Sequence, residues 1–221
     1  MMNSSLLQLL VLVGIAIFLI LKLRSVLGTR DGHESQPLQR VDRGRPERRR
    51  DFEVIEGGPD RDITDHVEED SPSAKALAAM KLAENGFNVS EFLGGARGAY
   101  EMILMAFENG DVESLRPFLA DDVMESFEQV ISEREAQGLT IEASFVGLRE
   151  LTLQEAEFNR STSEAQITVR FVAELTSVVR NAQGDIVEGD PNAIKRQRDI
   201  WTFGRKMGSS NPNWVLVATG G

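Results

Sequence analysis

"FLGGARGAYEMILMAFENGDVESLRPFLADDVMESFEQVISEREAQG", Phe92 to Gly138, decides the fold of this 221-residue chain. Phe92, Ala96, Ala99, Ile103 and Phe107 recur every three or four residues, which predicts one apolar face of a helix running to about Glu108. Asn88 and Glu91 have capping-box spacing at its start. Asn-Gly-Asp at 109–111 stops it, Asp111 is placed to cap a turn through Leu115, and Pro117 interrupts. Asp121 or Asp122 then caps a further helix whose Val123, Phe127, Val130 and Ile131 share a face before Gly138 ends it.

The first helix carries Gly94, Gly95 and Gly98, each disfavoured by about 1 kcal/mol relative to alanine inside a helix. Gly95, Ala99, Met102 and Ala106 form a stripe beside the Phe/Ile face. Two readings stand: the small residues admit a closely packed strand or helix of the same domain, or they leave room for a ligand or a partner's apolar side chain. Gly94 and Gly98 form G-x-x-x-G, which outside a membrane span is no dimerisation signal by itself.

Beyond Gly138 the period changes from helical to two-residue. Ile141 to Phe158 reads as a long, bulged strand, and Ala165 to Arg180 alternates with Ile167, Val169, Phe171, Ala173, Leu175 and Val179 on one side. "NAQGD", Asn181 to Asp185, is turn chemistry, and Ala193–Met207 and Trp214–Ala218 supply two more strands. Helices followed by about four antiparallel strands give an α+β domain in which a curved sheet wraps the helices.

On the amino side, Ala74, Leu77, Ala78 and Leu82 mark a short amphipathic helix over 73–86, with Ser73 available as its cap. Residues 25–72 hold few large apolar side chains, many charges, and repeated Gly and Pro; such a segment reads as a flexible linker. Residues 1–24 contain "LLQLLVLVGIAIFLIL", Leu6 to Leu21, uncharged and with only Gln8 polar. With its flanks it makes about 18 residues, or roughly 27 Å of helix, at the short end for a bilayer span. No cation precedes the run and no A-x-A pattern follows it, so a membrane anchor is favoured over a cleaved signal peptide. Lys22 and Arg24 behind it place the downstream chain in the cytoplasm by the positive-inside rule. The fourth region, 87–221, is the compact domain. Net charge runs +5 over residues 1–50, −7 over 51–86 and −9 over 87–221, and there is no cysteine.

The basic run Arg43–Arg50, with Arg48, Arg49 and Arg50 at its end, lies behind the anchor and suits contact with anionic lipid. The acidic stretch from Asp51 to Asp70 would repel a phosphate backbone, so no nucleic acid is expected. Catalysis finds little support: His33 and His66 both fall in the linker, and no metal-ligand spacing, phosphate loop or nucleophile–base pair appears. No cofactor is expected. Tyr100 is the only tyrosine and reads as a core or pocket residue with its hydroxyl hydrogen-bonded; Glu142, Glu174 and Asp199 are strand acids suited to cross-strand pairing with Arg170, Arg196 or Arg198.

The run Phe92-Leu93, Gly95-Ala96, Ala99-Tyr100-Glu101, Ile103, Ala106-Phe107, Gly110-Asp111, Leu115, Val123, Phe127 and Ile131 resembles the opening of the Tim-forty-four-like domain family, and the likeness extends to Ala218. The anchor and charged linker resemble its bacterial single-span members. The resemblance implies a nuclear-transport-factor-two-like or cystatin-like roll with an apolar pocket, and a non-enzymatic adaptor at the inner face of a bacterial plasma membrane. No transit peptide or long chaperone-binding arm is read upstream, so chaperone-motor tethering is not carried over. On the implied fold the pocket for a partner or ligand is lined by Phe92, Tyr100, Ile103, Phe107, Phe127, Phe171, Trp201 and Trp214. Lys195, Arg196, Arg198 and Arg205, alternating with aromatics on a possible edge strand, suit an acidic or extended partner. The expected function is that of a membrane-anchored scaffold for protein partners in translocation or complex assembly; the alternative is a lipid or small hydrophobe held in the pocket.

Overall fold

The structure, a computed structural model, describes residues 59–220. The predicted anchor, the basic run and most of the predicted linker, including Lys22, Arg24, Arg48, Arg49 and Arg50, lie outside the described residues. No helix among those described is long and apolar enough to cross a membrane. The expected α+β architecture is present: among the described residues, five helices precede a five-stranded antiparallel sheet.

The helices are α1 (Arg61–Thr64), α2 (Pro72–Ala83), α3 (Val89–Glu108), α4 (Val112–Leu115) and α5 (Asp121–Ala136). Helix α1 lies within the stretch read as linker, and that boundary is corrected. Ile63 is buried in the core, while Asp62 accepts the backbone N–H groups of Val89 (2.8 Å) and Ser90 (3.0 Å) at the start of α3. Asn88 accepts from Glu91 N–H at the same end, so α3 begins with two capping residues. In α2 the cap is Ser71 rather than Ser73, whose hydroxyl instead accepts the Ala156 N–H across the fold. Its buried side chains are Leu77, Ala79 and Met80; Leu82 and Ala78 face solvent, so the apolar stripe sits about a third of a turn from its expected place. Helix α3 buries Phe92, Ala96 and Ile103 as read from the period, with Val89, Leu93, Tyr100, Leu104 and Ala106 beside them.

Both long helices past Pro72 that end at a glycine close in the same way. Asp111 N–H reaches Ala106 C=O and Gly110 N–H reaches Phe107 C=O; Leu139 and Gly138 repeat this on Arg134 and Glu135. Gly110 and Gly138 supply the positive φ this closure requires. Asp111 caps α4 through Ser114 as expected. Neither Asp121 nor Asp122 caps α5; its N-cap is Ala120, and the two acids sit in the first turn, where they suit the helix dipole.

The strands are β1 (Thr140–Asn159), β2 (Glu164–Arg180), β3 (Ile186–Gly189), β4 (Lys195–Lys206) and β5 (Val215–Gly220), in spatial order β1-β2-β4-β5, with β3 added to β2 beyond the end of β4. Three register shifts bend β1 along β2. Phe171 faces the helices and lies opposite Asp199 of β4; Glu174, on the other face, lies opposite Arg196. At the end of β3, Gly189 approaches the Ser177 carbonyl so closely that a Cβ would sit 2.2 Å from it. The core lies between the helices and one face of the sheet and includes Tyr100, Ile103, Ile167, Val169, Phe171, Trp201, Phe203 and Leu216.

Candidate functional site

The eight residues expected to line a pocket fall into two groups. Phe92, Tyr100, Ile103, Phe171 and Trp201 are buried, whereas Phe107, Phe127 and Trp214 are half-buried. Tyr100 stacks on Phe171 with ring centroids 4.4 Å apart and meets Trp201 at 4.7 Å. These side chains pack on one another, so the helix–sheet interior is filled by the rings expected to enclose a ligand. Phe107 and Phe127 pair at 4.5 Å at the far end of α3, with the Arg134 guanidinium 4.3 Å over Phe107.

Near the start of α3 the aromatic layer reaches the surface. A groove of about 240 Å³ is floored by Phe87, Phe92, Ala96 and Trp214 and edged by Gly86, Asn88, Glu91 and Gly95. Trp214 lies 4.7 Å from Phe92 and 6.0 Å from Phe87. Arg205 closes one side. Its Nη2 donates to both oxygens of Glu84 at 2.8 Å, and its side chain is only 8% exposed. The Gly208 N–H, followed by Arg205, holds the Glu84 carboxyl below its usual range against the opposing effect of burial. Arg205 is therefore a neutralised wall of this groove.

Gly95 continues the groove along α3. Gly94, Gly95 and Gly98 are all exposed, and a Cβ built on any of them meets nothing within 4 Å. No strand or helix among the described residues uses the room they provide, so the internal-packing reading of these glycines does not hold. Met102, one turn on, is also exposed. Among the described residues nothing covers this face.

The remaining basic residues of β4 divide by strand alternation. Arg196 and Arg198 lie on the sheet face away from the helices, and Lys195 lies on the helix side. Glu174, buried on the outer face, accepts Arg149 Nε at 2.6 Å on one oxygen and Arg196 Nη2 at 3.2 Å on the other. The bond from Arg149, then that from Arg196, lowers its pKa despite desolvation. Arg149 was not singled out in the sequence, because its strand is bulged there and alternation no longer reports its face. Glu142 pairs with Arg180, and Glu150 with Arg170.

On the helix side, Tyr100 donates its hydroxyl to Asp199 Oδ2 at 2.6 Å, and Gln197 Nε2 donates to the same oxygen at 2.9 Å. Burial raises the Asp199 carboxyl, and these donors offset part of the rise. Burial likewise raises Glu108, opposed by Arg134 and Lys195. The phenol is itself pushed far up by desolvation and by Asp199, so it remains a donor. Asp199 is thus tied to groups that orient it inside the core. Among the described residues no cluster of His, Asp or Glu is placed to hold a metal ion.

Residues 73–221 match the family described as Tim44-like domain. The chain is 26% identical over 117 residues to the human mitochondrial import inner membrane translocase subunit TIM44, covering 52% of this chain and 25% of the relative. It is 24% identical over 117 residues to the same subunit of Rattus norvegicus, with the same coverage. The chain therefore spans about a quarter of the length of these curated relatives. Among solved structures, the intermembrane space region of chloroplast protein ARC6 is 14% identical with a TM-score of 0.39, covering 59% of this chain and 92% of that one. With the family match extending from α2 through β5, this chain belongs to the Tim44-like domain family.

Proposed function

We propose that this chain is a membrane-anchored adaptor that holds a protein partner close to the bilayer, with a helix of the partner lying across the glycine face of α3 beside Trp214. The uncovered glycines carry the reading. Three glycines in one helix forgo roughly 2–3 kcal/mol of helix propensity, and nothing in the described fold takes up the space. With no Cβ at Gly94, Gly95 and Gly98, a second helix can approach α3 closely there. The groove over Phe87, Phe92 and Trp214 then receives an adjoining apolar side chain. Family membership agrees, since domains of this type are generally non-catalytic scaffolds. The name of the human relative, an import translocase subunit, supports a role in protein translocation or membrane-complex assembly. The apolar run and the cations behind it support a place at the cytoplasmic side of a bacterial inner membrane with the amino terminus outside, and the domain is read as a nuclear-transport-factor-two-like roll. A charged linker between anchor and domain would raise the local concentration of a partner at the membrane.

The test is capture of the full chain after light crosslinking in intact cells, followed by mass spectrometry of proteins and lipids together. Gly98→Leu should remove a stoichiometric protein partner while the unfolding midpoint does not fall. Gly98→Ala should stabilise the fold by about 0.5–1 kcal/mol yet weaken capture. Full retention of the partner by Gly98→Leu, or a stoichiometric lipid with no protein, would overturn the reading.

A further inference from the structure

A second surface, of different chemistry, lies at the start of β4. Strand β5 pairs with β4 only from Ile200 to Gly204. The outer edge of Lys195–Asp199 therefore has no partner strand among the described residues, while its inner edge is fully paired with β2. In an antiparallel ladder alternate residues direct their backbone N–H and C=O outward, so this edge offers an open row of donors and acceptors.

The side chains along the edge select what can pair with it. Arg196 and Arg198 are exposed on the outer face, and Lys195 is exposed on the helix side. Arg149 and Arg196 share the single carboxylate of Glu174 and remain 64% and 59% exposed, so donors of both still face solvent. Arg198 has no ion pair among the described residues. The local surface is thus positive in a region, 87–221, whose net charge is −9. The counter-charges nearby are Glu174, already shared, Glu150, paired with Arg170, Asp190 five residues before Lys195, and Asp199 and Glu108 on the helix side, where Lys195 faces Glu108. A second copy of this chain is a poor occupant, because antiparallel pairing of two such edges sets arginine against arginine. A strand of opposite sign meets no such penalty.

We infer that the Lys195–Asp199 edge of β4 accepts an extended acidic segment of a partner protein as an added strand, its carboxylates meeting Arg196 and Arg198. Backbone pairing supplies the docking geometry and the arginines supply the selection. This surface is independent of the glycine face, and together the two would let one domain hold two partners.

The experiment uses the full chain in nanodiscs of zwitterionic phospholipid and a fluorescein-labelled octapeptide of alternating Glu and Val. Anisotropy should report binding that weakens as salt rises. Hydrogen exchange should show new protection of the Lys195–Asp199 amides on binding. Arg198→Glu, which breaks no ion pair, should weaken binding by about tenfold or more, whereas Arg160→Glu on the exposed β1–β2 turn should not. No binding, binding unchanged in Arg198→Glu, or binding without protection of those amides would overturn the inference. So would nanodiscs containing anionic lipid engaging the same arginines in place of the peptide.

Discussion

Tyr100 shows how one side chain can join the core to the chemistry of a strand. Its ring is stacked on Phe171 and its hydroxyl holds Asp199 from 99 positions away. Tyr100→Phe keeps the stacking and removes the bond, for an expected loss of about 1.5–3 kcal/mol because the acceptor is charged. The pH dependence of that loss is diagnostic. Burial raises the Asp199 carboxyl above its ordinary 3.8, so between that value and the folded one the native state binds more protons than the unfolded state. Stability from this group therefore falls as pH rises through the window. Losing the phenol donor raises the folded value further, so the variant's deficit should be larger at pH 7 than below pH 3.8. Urea unfolding at both pH values measures it; an equal deficit at both would mean that the hydroxyl does not stabilise the charge.

At the scale of elements, α1 and α3 are joined by one carboxylate. Burial alone would raise Asp62, but hydrogen bonds from Lys81 and from the Val89 and Ser90 N–H groups outweigh it and hold the pKa at about 2. Its stabilising contribution is present above the ordinary 3.8 and is lost as pH falls through the folded value. Asp62→Ala should cost about 1–2 kcal/mol, as loss of a helix cap does, and native-state hydrogen exchange should quicken first in the opening turn of α3. Helix α3 and strands β1 and β2 were legible because each is long and keeps its period. Helix α1 was not, since four residues with one buried side chain carry no period, and β3 was not, since all four of its residues are exposed. The capping role of Asp62 is a contact 27 residues distant, which no local pattern reports.

For the whole molecule, the sequence made the aromatic cluster visible but not its use. Size and apolarity mark Tyr100, Phe171 and Trp201 equally as the lining or the filling of a cavity, and only packing distinguishes the two. The glycines are the clearer sign, because their cost in helix propensity is legible in the sequence itself. The proposed anchor makes a separate prediction: Leu12→Lys with Ile15→Lys should release the full chain from membranes in sedimentation under carbonate, since each charge at mid-span disfavours insertion by about 2.5–3.5 kcal/mol. Continued tight sedimentation would remove the span from the account. Near residue 59 the described chain is secured by Lys81 on Asp60 and Asp62 and by Asp62 on α3. A pull exerted on the chain from upstream is therefore borne first by these polar clasps, next to the groove under Trp214. Tension along the chain would therefore load the opening turn of α3, at the lip of that groove, ahead of the stacked rings behind it.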